Sequence, residues 1–279
     1  MRTCNIIPDI SWAFSRKQLM WGINTNYEDR RVLQNTTNFS FLKSSNLYSD
    51  NVPVNRYLLP GSNDINALRD QRHLDFLTKI SYTPFQRYRI NKGVKIPVSS
   101  DWPTFDLTWQ HGINEFNEFT PGLRRFDMFR FEASRNISIG AFSNFRWRLR
   151  AAGFLDNRDI TFYDFFHINS QPFPLLINNY EDAFMIPSFY SLSTPEFYVE
   201  AHLKYTTPYL LLKLLPVLSN TLISENLSLS YLGSRFQPNY TEIGYSISEI
   251  LFLGELGVYV GFNDIKYNSV GLKAVLRFN

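Results

Sequence analysis

The chain has 279 residues, enough for one large all-β domain or two ordinary ones, and a net charge of +3 from 28 basic and 25 acidic residues. The basic residues are scattered, not gathered on one stripe with stacking aromatics, which argues against a nucleic-acid partner; the single Cys4 leaves no disulfide framework and no cysteine-based metal site. Aromatics reach 16% although the mean hydropathy is -0.22, a mixture that strict alternation of large apolar and polar residues produces and that an apolar helical bundle does not.

The opening stretch, MRTCNIIPDISWAFSRKQ, lacks the charged start, apolar stretch and small-residue cleavage site of a secretory signal. Strand candidates begin near Leu19 and Thr37. HLDFLTKISY then sets Leu74, Phe76, Ile80 and Tyr82 on one face against His73, Asp75, Lys79 and Ser81, the period-two pattern of a two-faced strand. TFDLTWQHGI repeats it, with Phe105, Leu107, Trp109 and Ile113 opposite Thr104, Asp106, Thr108, Gln110 and Gly112. Further candidates start near Asp127 and Ala141. Inside the second of these, FRWRLRAAGF places Arg146, Arg148 and Arg150 on one side and Phe145, Trp147, Leu149 and Ala151 on the other. An arginine facing lipid near the bilayer midplane costs roughly 2–4 kcal/mol, so this row is expected to face a lumen. There it either forms an anion-attracting ladder in a pore or pairs with carboxylates such as Glu132, Glu196 and Glu200, and the pairing is the preferred expectation.

Residues 156–195 alternate weakly and contain Pro172, Pro174, Pro187 and many aromatics. A connection this long is expected to be functional or structured, and its apolar content predicts a loop or cap that folds over or into the barrel mouth. EFYVEAHLKY resumes the alternation, with Phe197, Val199, Ala201, Leu203 and Tyr205 on one face. YLLLKLLPVL at 209–218 is too short for a spanning helix and holds Lys213 and Pro216, so it reads as a strand end followed by an interfacial or loop segment. Strands are expected again near Thr221, Glu242 and Glu255, and the last from about Ser269. In that last one Val270, Leu272, Ala274, Leu276 and Phe278 oppose Ser269, Gly271, Lys273 and Arg277.

The runs are nearly twice the length usual in soluble sandwiches, and aromatics recur near their ends at Tyr82, Trp102, Trp109, Phe154, Tyr205, Tyr231 and Phe262, where interfacial girdles would put them. The expected fold class is all-β: an antiparallel transmembrane barrel, or the C-terminal part of one, of roughly 10–12 strands. The closing strand, with Gly271, Leu272, Ala274, Leu276 and a near-terminal Phe278, resembles the signal read by the outer-membrane barrel assembly machinery.

VLQNTTNFSF, ISYTPFQRYRINKGVKIPVSSDWPTFDLTW, HGI, PFPLLINNYEDAFMIPSFYSLSTPEFYVEAHLKY and KLLPVL resemble, in order and spacing, a family of Bacteroidetes outer-membrane barrels of unknown function. In that family the barrel usually follows a carboxypeptidase-regulatory-like domain. The resemblance runs from about Gly22 onward and implies that the whole chain, 1–279, is the C-terminal portion of such a barrel. It also implies an outer-membrane location, with a signal peptide upstream, and as partners outer-membrane lipids, the assembly machinery and the N-terminal part of the same protein.

No catalytic signature accompanies these patterns: G-x-S-x-G, the phosphate-binding glycine loop and H-E-x-x-H are all missing. His73, His111, His167 and His202 are far apart and read as solvated or strand-end histidines, so no cofactor or metal is expected. The expected function is a non-catalytic outer-membrane barrel acting in transport or envelope biogenesis. The alternatives are a soluble β-rich binding protein or adhesin fragment and, further off, an outer-membrane lipid enzyme built on a Ser or Thr paired with a His.

Overall fold

The alternating runs are long antiparallel strands. The computed structural model describes residues 2–5, 12–16, 18–31, 70–98, 100–116, 123–158, 160–177, 182–212, 223–235, 239–250 and 254–276. In chain order the strands are β1 (Arg2–Asn5), β2 (Trp12–Arg16), β3 (Leu19–Arg31), β4 (Gln71–Tyr82), β5 (Tyr88–Asn91), β6 (Val94–Pro97), β7 (Thr104–Phe116), β8 (Leu123–Ile139), β9 (Ser143–Phe154), β10 (Leu175–Ile177), β11 (Tyr198–Thr207), β12 (Ser224–Ser234), β13 (Tyr240–Ile250), β14 (Gly254–Asn263) and β15 (Lys266–Leu276). Thirteen of them form one sheet in the order β1-β3-β4-β7-β8-β9-β11-β12-β13-β14-β15-β10, with β2 also paired to β3, while β5 and β6 make a separate hairpin. Ten strands are ten residues or longer, and β1, β2 and β10 are short additions. Only β10 pairs in parallel, with β15.

Register carries the two faces across the sheet. Ile80, Leu107, Phe131, Ala151 and Val199 stand opposite one another along one ribbon, and Leu203, Leu229, Ile243, Val260 and Val270 along another. Side chains of this set, among them Leu107, Phe131, Leu229, Ile243 and Val270, are exposed. The opposite face is polar and buried: Gln71, His73, Asn114, Glu200, His202, Glu242 and Lys273 all lie within it. We call these the open and the covered face.

What covers the second face is the 155–197 connection between β9 and β11. It contains the 3-10 turn Phe162–Asp164 and the short β10. Phe162, Phe165, Phe166, Ile168 and Phe184 of this segment pack on Phe126, Met128, Ala152, Tyr198, Leu232 and Tyr240 of the strands. Asp164 is bonded to Arg30 on β3, whereas the carbonyl of Gln171, seven residues on, accepts from Lys273 on β15. Laid flat, nine strand intervals would separate β3 from β15 by about 43 Å. Seven extended residues reach about 25 Å, and both side chains rise from the sheet. The sheet is therefore strongly curved around the segment. Among the described residues no pairing joins β1 or β2 to β10 or β15, so these strands form an open sheet and not the closed ring expected of a complete barrel.

Several boundaries differ from the expectation. β8 begins at Leu123 and not near Asp127, because its ladder with β7 continues through Arg124 and Arg125. β9 begins at Ser143 because residues 140–142 form the turn from β8, with Gly140 at φ 68°. The β5–β6 hairpin was not anticipated; Lys92 and Gly93, at φ 48° and 80°, supply the left-handed pair that a tight hairpin turn needs. The strand expected near Thr37 falls outside the described residues. Among those residues no helix is long and apolar enough to cross a membrane.

Candidate functional site: a polar lining and the segment that fills it

The covered face and residues 155–197 meet at a set of charged and polar contacts that begin on the strands. Period two brings Arg146, Arg148 and Arg150 of β9 to the covered face. Arg146 Nη2 and Arg148 Nη1 both lie 2.6 Å from Asp182 Oδ2 of the covering segment. Arg148 Nε is 3.1 Å from Glu132 Oε1, and Arg150 bridges Glu132 on β8 (3.0 Å) and Glu200 on β11 (3.1 Å). Glu132 and Glu200 were anticipated as partners. The third carboxylate beside the row is Asp182, from a position that no strand pattern marks, whereas Glu196 donates its backbone N–H to Thr194 Oγ1. With three carboxylates against three guanidiniums, the row is neutralised on the spot and rigidifies the interior.

A second junction lies at the 3-10 turn. The Asp164 carboxylate accepts from Arg30 Nη1 (2.6 Å), Asn114 Nδ2 (2.8 Å), and the backbone N–H and hydroxyl of Thr161 (both 3.0 Å). Gln71 Nε2 donates to Thr161 Oγ1, and His73 Nδ1 sits 2.6 Å from Asn114 Oδ1. Strands β3, β4 and β7 thus all grip one turn. On the other side Glu242 of β13 accepts the backbone N–H groups of Met185 and Ile186, and Lys273 of β15 donates to the carbonyls of Gln171 and Phe173. These carboxylates and the ammonium serve backbone groups that would otherwise be buried without partners.

Glycines on the covered face let strand aromatics lie close. A Cβ at Gly112 would stand 2.3 Å from the Phe126 ring, and one at Gly244 would stand 2.4 Å from Tyr259. The rings fill the space that a side chain would take. Between the segment and β11–β15 remains a cavity of about 60 Å³, lined by Arg146, Asp182, His202, Lys204, Glu242 and Tyr259 among others. That volume has room for a few waters and not for an organic solute.

Two histidines have partners of chemical interest. His202 Nε2 lies 2.6 Å from Glu200 Oε1, and Nδ1 lies 2.8 Å from Ser230 Oγ. With the ionised carboxylate accepting from Nε2–H, Nδ1 accepts the Ser230 hydroxyl. That is the connectivity of nucleophile, base and acid, but the Phe184 ring rests 5.0 Å from His202 and closes the approach. His111 is on the open face, where Asp127 Oδ1 lies 2.9 Å from its Nδ1 and also accepts the Trp109 indole N–H at 3.0 Å. His73 is buried, and the His167 ring lies tilted to Phe162 and edge-on to Tyr190. Among the described residues no three His, Cys, Asp or Glu side chains are grouped to hold a metal.

The last strand places Val270, Leu272 and Leu276 on the open face, exposed, and Ala274 beside them opposite Leu256. Gly271 is on the covered side, where an added Cβ would meet Ile186 at 3.2 Å. Phe278 lies outside the described residues.

No curated protein and no solved structure matches the chain. A family model matches residues 10–247, and by that match the chain belongs to the family of unknown function DUF5686, as its C-terminal domain.

Proposed function

We propose that this chain is the C-terminal part of an outer-membrane β-barrel of Bacteroidetes origin. In this reading it acts in transport or envelope biogenesis and has no catalytic activity of its own. One observation carries the reading: across ten long strands large apolar side chains stand exposed on one face, while charged groups such as Glu200, Glu242, Glu255 and Lys273 are buried on the other. A soluble domain does the reverse, and soluble monomers rarely expose contiguous apolar patches beyond a few hundred Å². Lipid is the solvent in which such a face costs nothing.

The proposed partners belong to the same reading. Outer-membrane lipids cover the open face, and the barrel assembly machinery engages β15 through Gly271, Leu272, Ala274 and Leu276. Upstream strands of the same protein, behind a carboxypeptidase-regulatory-like domain, pair with the free edge, since unpaired strand edges are not tolerated in lipid. The test is fractionation of the native protein with heat-dependent gel migration. Recovery with outer membranes and a compact form that converts on boiling is expected; a soluble monomer obtained without detergent refutes it and favours the soluble binding-protein alternative.

The Ser230–His202–Glu200 arrangement favours one second reading, a lipid acyl hydrolase. It requires the Phe184 ring to move and a donor for the developing oxyanion. Fluorophosphonate labelling of the intact protein, lost in Ser230→Ala, would establish it; absence of labelling removes it.

A further inference from the structure

Large apolar side chains stand out from the connections at one end of the sheet. The β4–β7 connection, the 140–142 turn and the residues after β11 all leave the same end. Phe85, Ile90, Val94 and Trp102 in the first, Phe142 in the second and Tyr209 in the third each keep more than half of their surface exposed. Between Thr83 and Pro103 the sequence holds Arg87, Arg89, Lys92 and Lys95 against the single acid Asp101, and Asp101 is already paired with Arg87.

The β5–β6 hairpin is not loosely attached. Thr83 N–H donates to the Gln18 carbonyl at 2.9 Å, Thr83 and Thr104 share a hydroxyl hydrogen bond of 3.0 Å, and Val98 N–H donates to the Arg87 carbonyl at 2.9 Å. The root is thus fixed beside the exposed Leu19 and Tyr82 at the border of the open face. A two-stranded hairpin with apolar residues exposed is marginal in water. Amphipathic elements that combine cations with aromatic and aliphatic side chains lie at a lipid headgroup boundary.

We propose that the β5–β6 hairpin is a headgroup-binding element for anionic glycerophospholipids, with Arg89 and Lys92 on the phosphates and Ile90 and Val94 in the acyl boundary. The inference rests on the reading of the open face as lipid-facing and adds a lipid class and a site to it. Each cation near an anionic surface strengthens binding about fivefold.

The test uses the full chain folded into vesicles of phosphatidylcholine alone or mixed with phosphatidylglycerol. An environment-sensitive fluorophore is placed at Ile90→Cys in a Cys4→Ser background, and a second protein carries the label at Leu107→Cys on the open face. The label at 90 is expected to shift to the blue and be quenched by headgroup-proximal lipid quenchers, more so with phosphatidylglycerol. Arg89→Glu with Lys92→Glu is expected to reduce that gain at least tenfold. A label at 90 that stays in water in both lipids, while the label at 107 is lipid-quenched, overturns the proposal and leaves the barrel standing. Shielding at 90 that ignores phosphatidylglycerol and lipid quenchers indicates a protein cover and also overturns it. If the label at 107 is not lipid-quenched either, both readings fall.

Discussion

Asp164→Ala should release the covering segment while leaving the sheet intact. The Asp164 side chain is 1% exposed and that of Arg30 9%, so the substitution breaks a buried pair, which typically costs about 3–5 kcal/mol. The low end applies, because Arg30 retains Glu28 at 2.8 Å and Asn114 retains His73 at 2.6 Å. A loss of about 3 kcal/mol raises the population of the released segment about 150-fold. Limited chymotrypsin digestion of the folded protein reads that population directly when opening and reclosing are fast relative to cleavage; Phe162, Phe166 and Phe184 are buried in the closed form. Cleavage after Phe162, Phe166 and Phe184 should therefore accelerate by two orders of magnitude while β11–β15 remain uncut. Asp156→Asn is the control: Arg158 holds the Asp156 carboxyl down to about 2, so the pair is intact at the assay pH, but it is exposed and contributes little. Cleavage of the Asp164→Ala protein within twofold of wild type would refute the idea that this junction fastens the segment.

Gly112→Ala should destabilise the protein by about 1–3 kcal/mol through overpacking against Phe126, seen as a lower temperature of conversion from the compact to the extended gel form. Leu229→Arg should cut the yield of protein folded into vesicles by an amount corresponding to roughly 2–4 kcal/mol; an unchanged yield would mean that the open face does not meet lipid. Arg150→Gln strands Glu200 with His202 alone and should cost about 3 kcal/mol in urea unfolding, much of it recovered in the double variant with Glu200→Gln. Replacing Arg146, Arg148 and Arg150 together by Gln strands Asp182, Glu132 and Glu200 and should lower stability in urea unfolding, a loss largely recovered when the three carboxylates are replaced by their amides as well.

Strand positions were legible wherever alternation was clean, as in β4, β7, β11 and β15. At the start of β8 the run Leu123, Arg124, Arg125 breaks the pattern because the strand end carries charge on both sides, and the ladder alone defines it. The Asn91-Lys92-Gly93 turn was readable as a hairpin signal but lay inside a connection treated as a whole. The arginine row was visible from its spacing, and its strand partners were within reach of inference. The contacts of Asp182, Asp164 and Lys273 were not, since each joins a strand to the irregular segment 155–197 and no periodicity relates the two. The pairing of Ser230 with His202 depends on the β11–β12 register, which one strand's sequence does not specify.

The covering segment also constrains the order in which the protein can assemble. Arg30 and Asp164 are 134 residues apart in sequence, and Lys273 and Gln171 are 102 apart. Residues 155–197 emerge after β9 and before β11, yet strands made earlier and strands made last both close on them. The sheet cannot reach its final curvature by adding strands one after another, because the object it curls around is gripped from both ends of the order. Contacts so distant in sequence make folding slow, and throughout that interval the apolar face lacks a finished scaffold. The covering segment is therefore set in place while the sheet curls and is not added to a finished one.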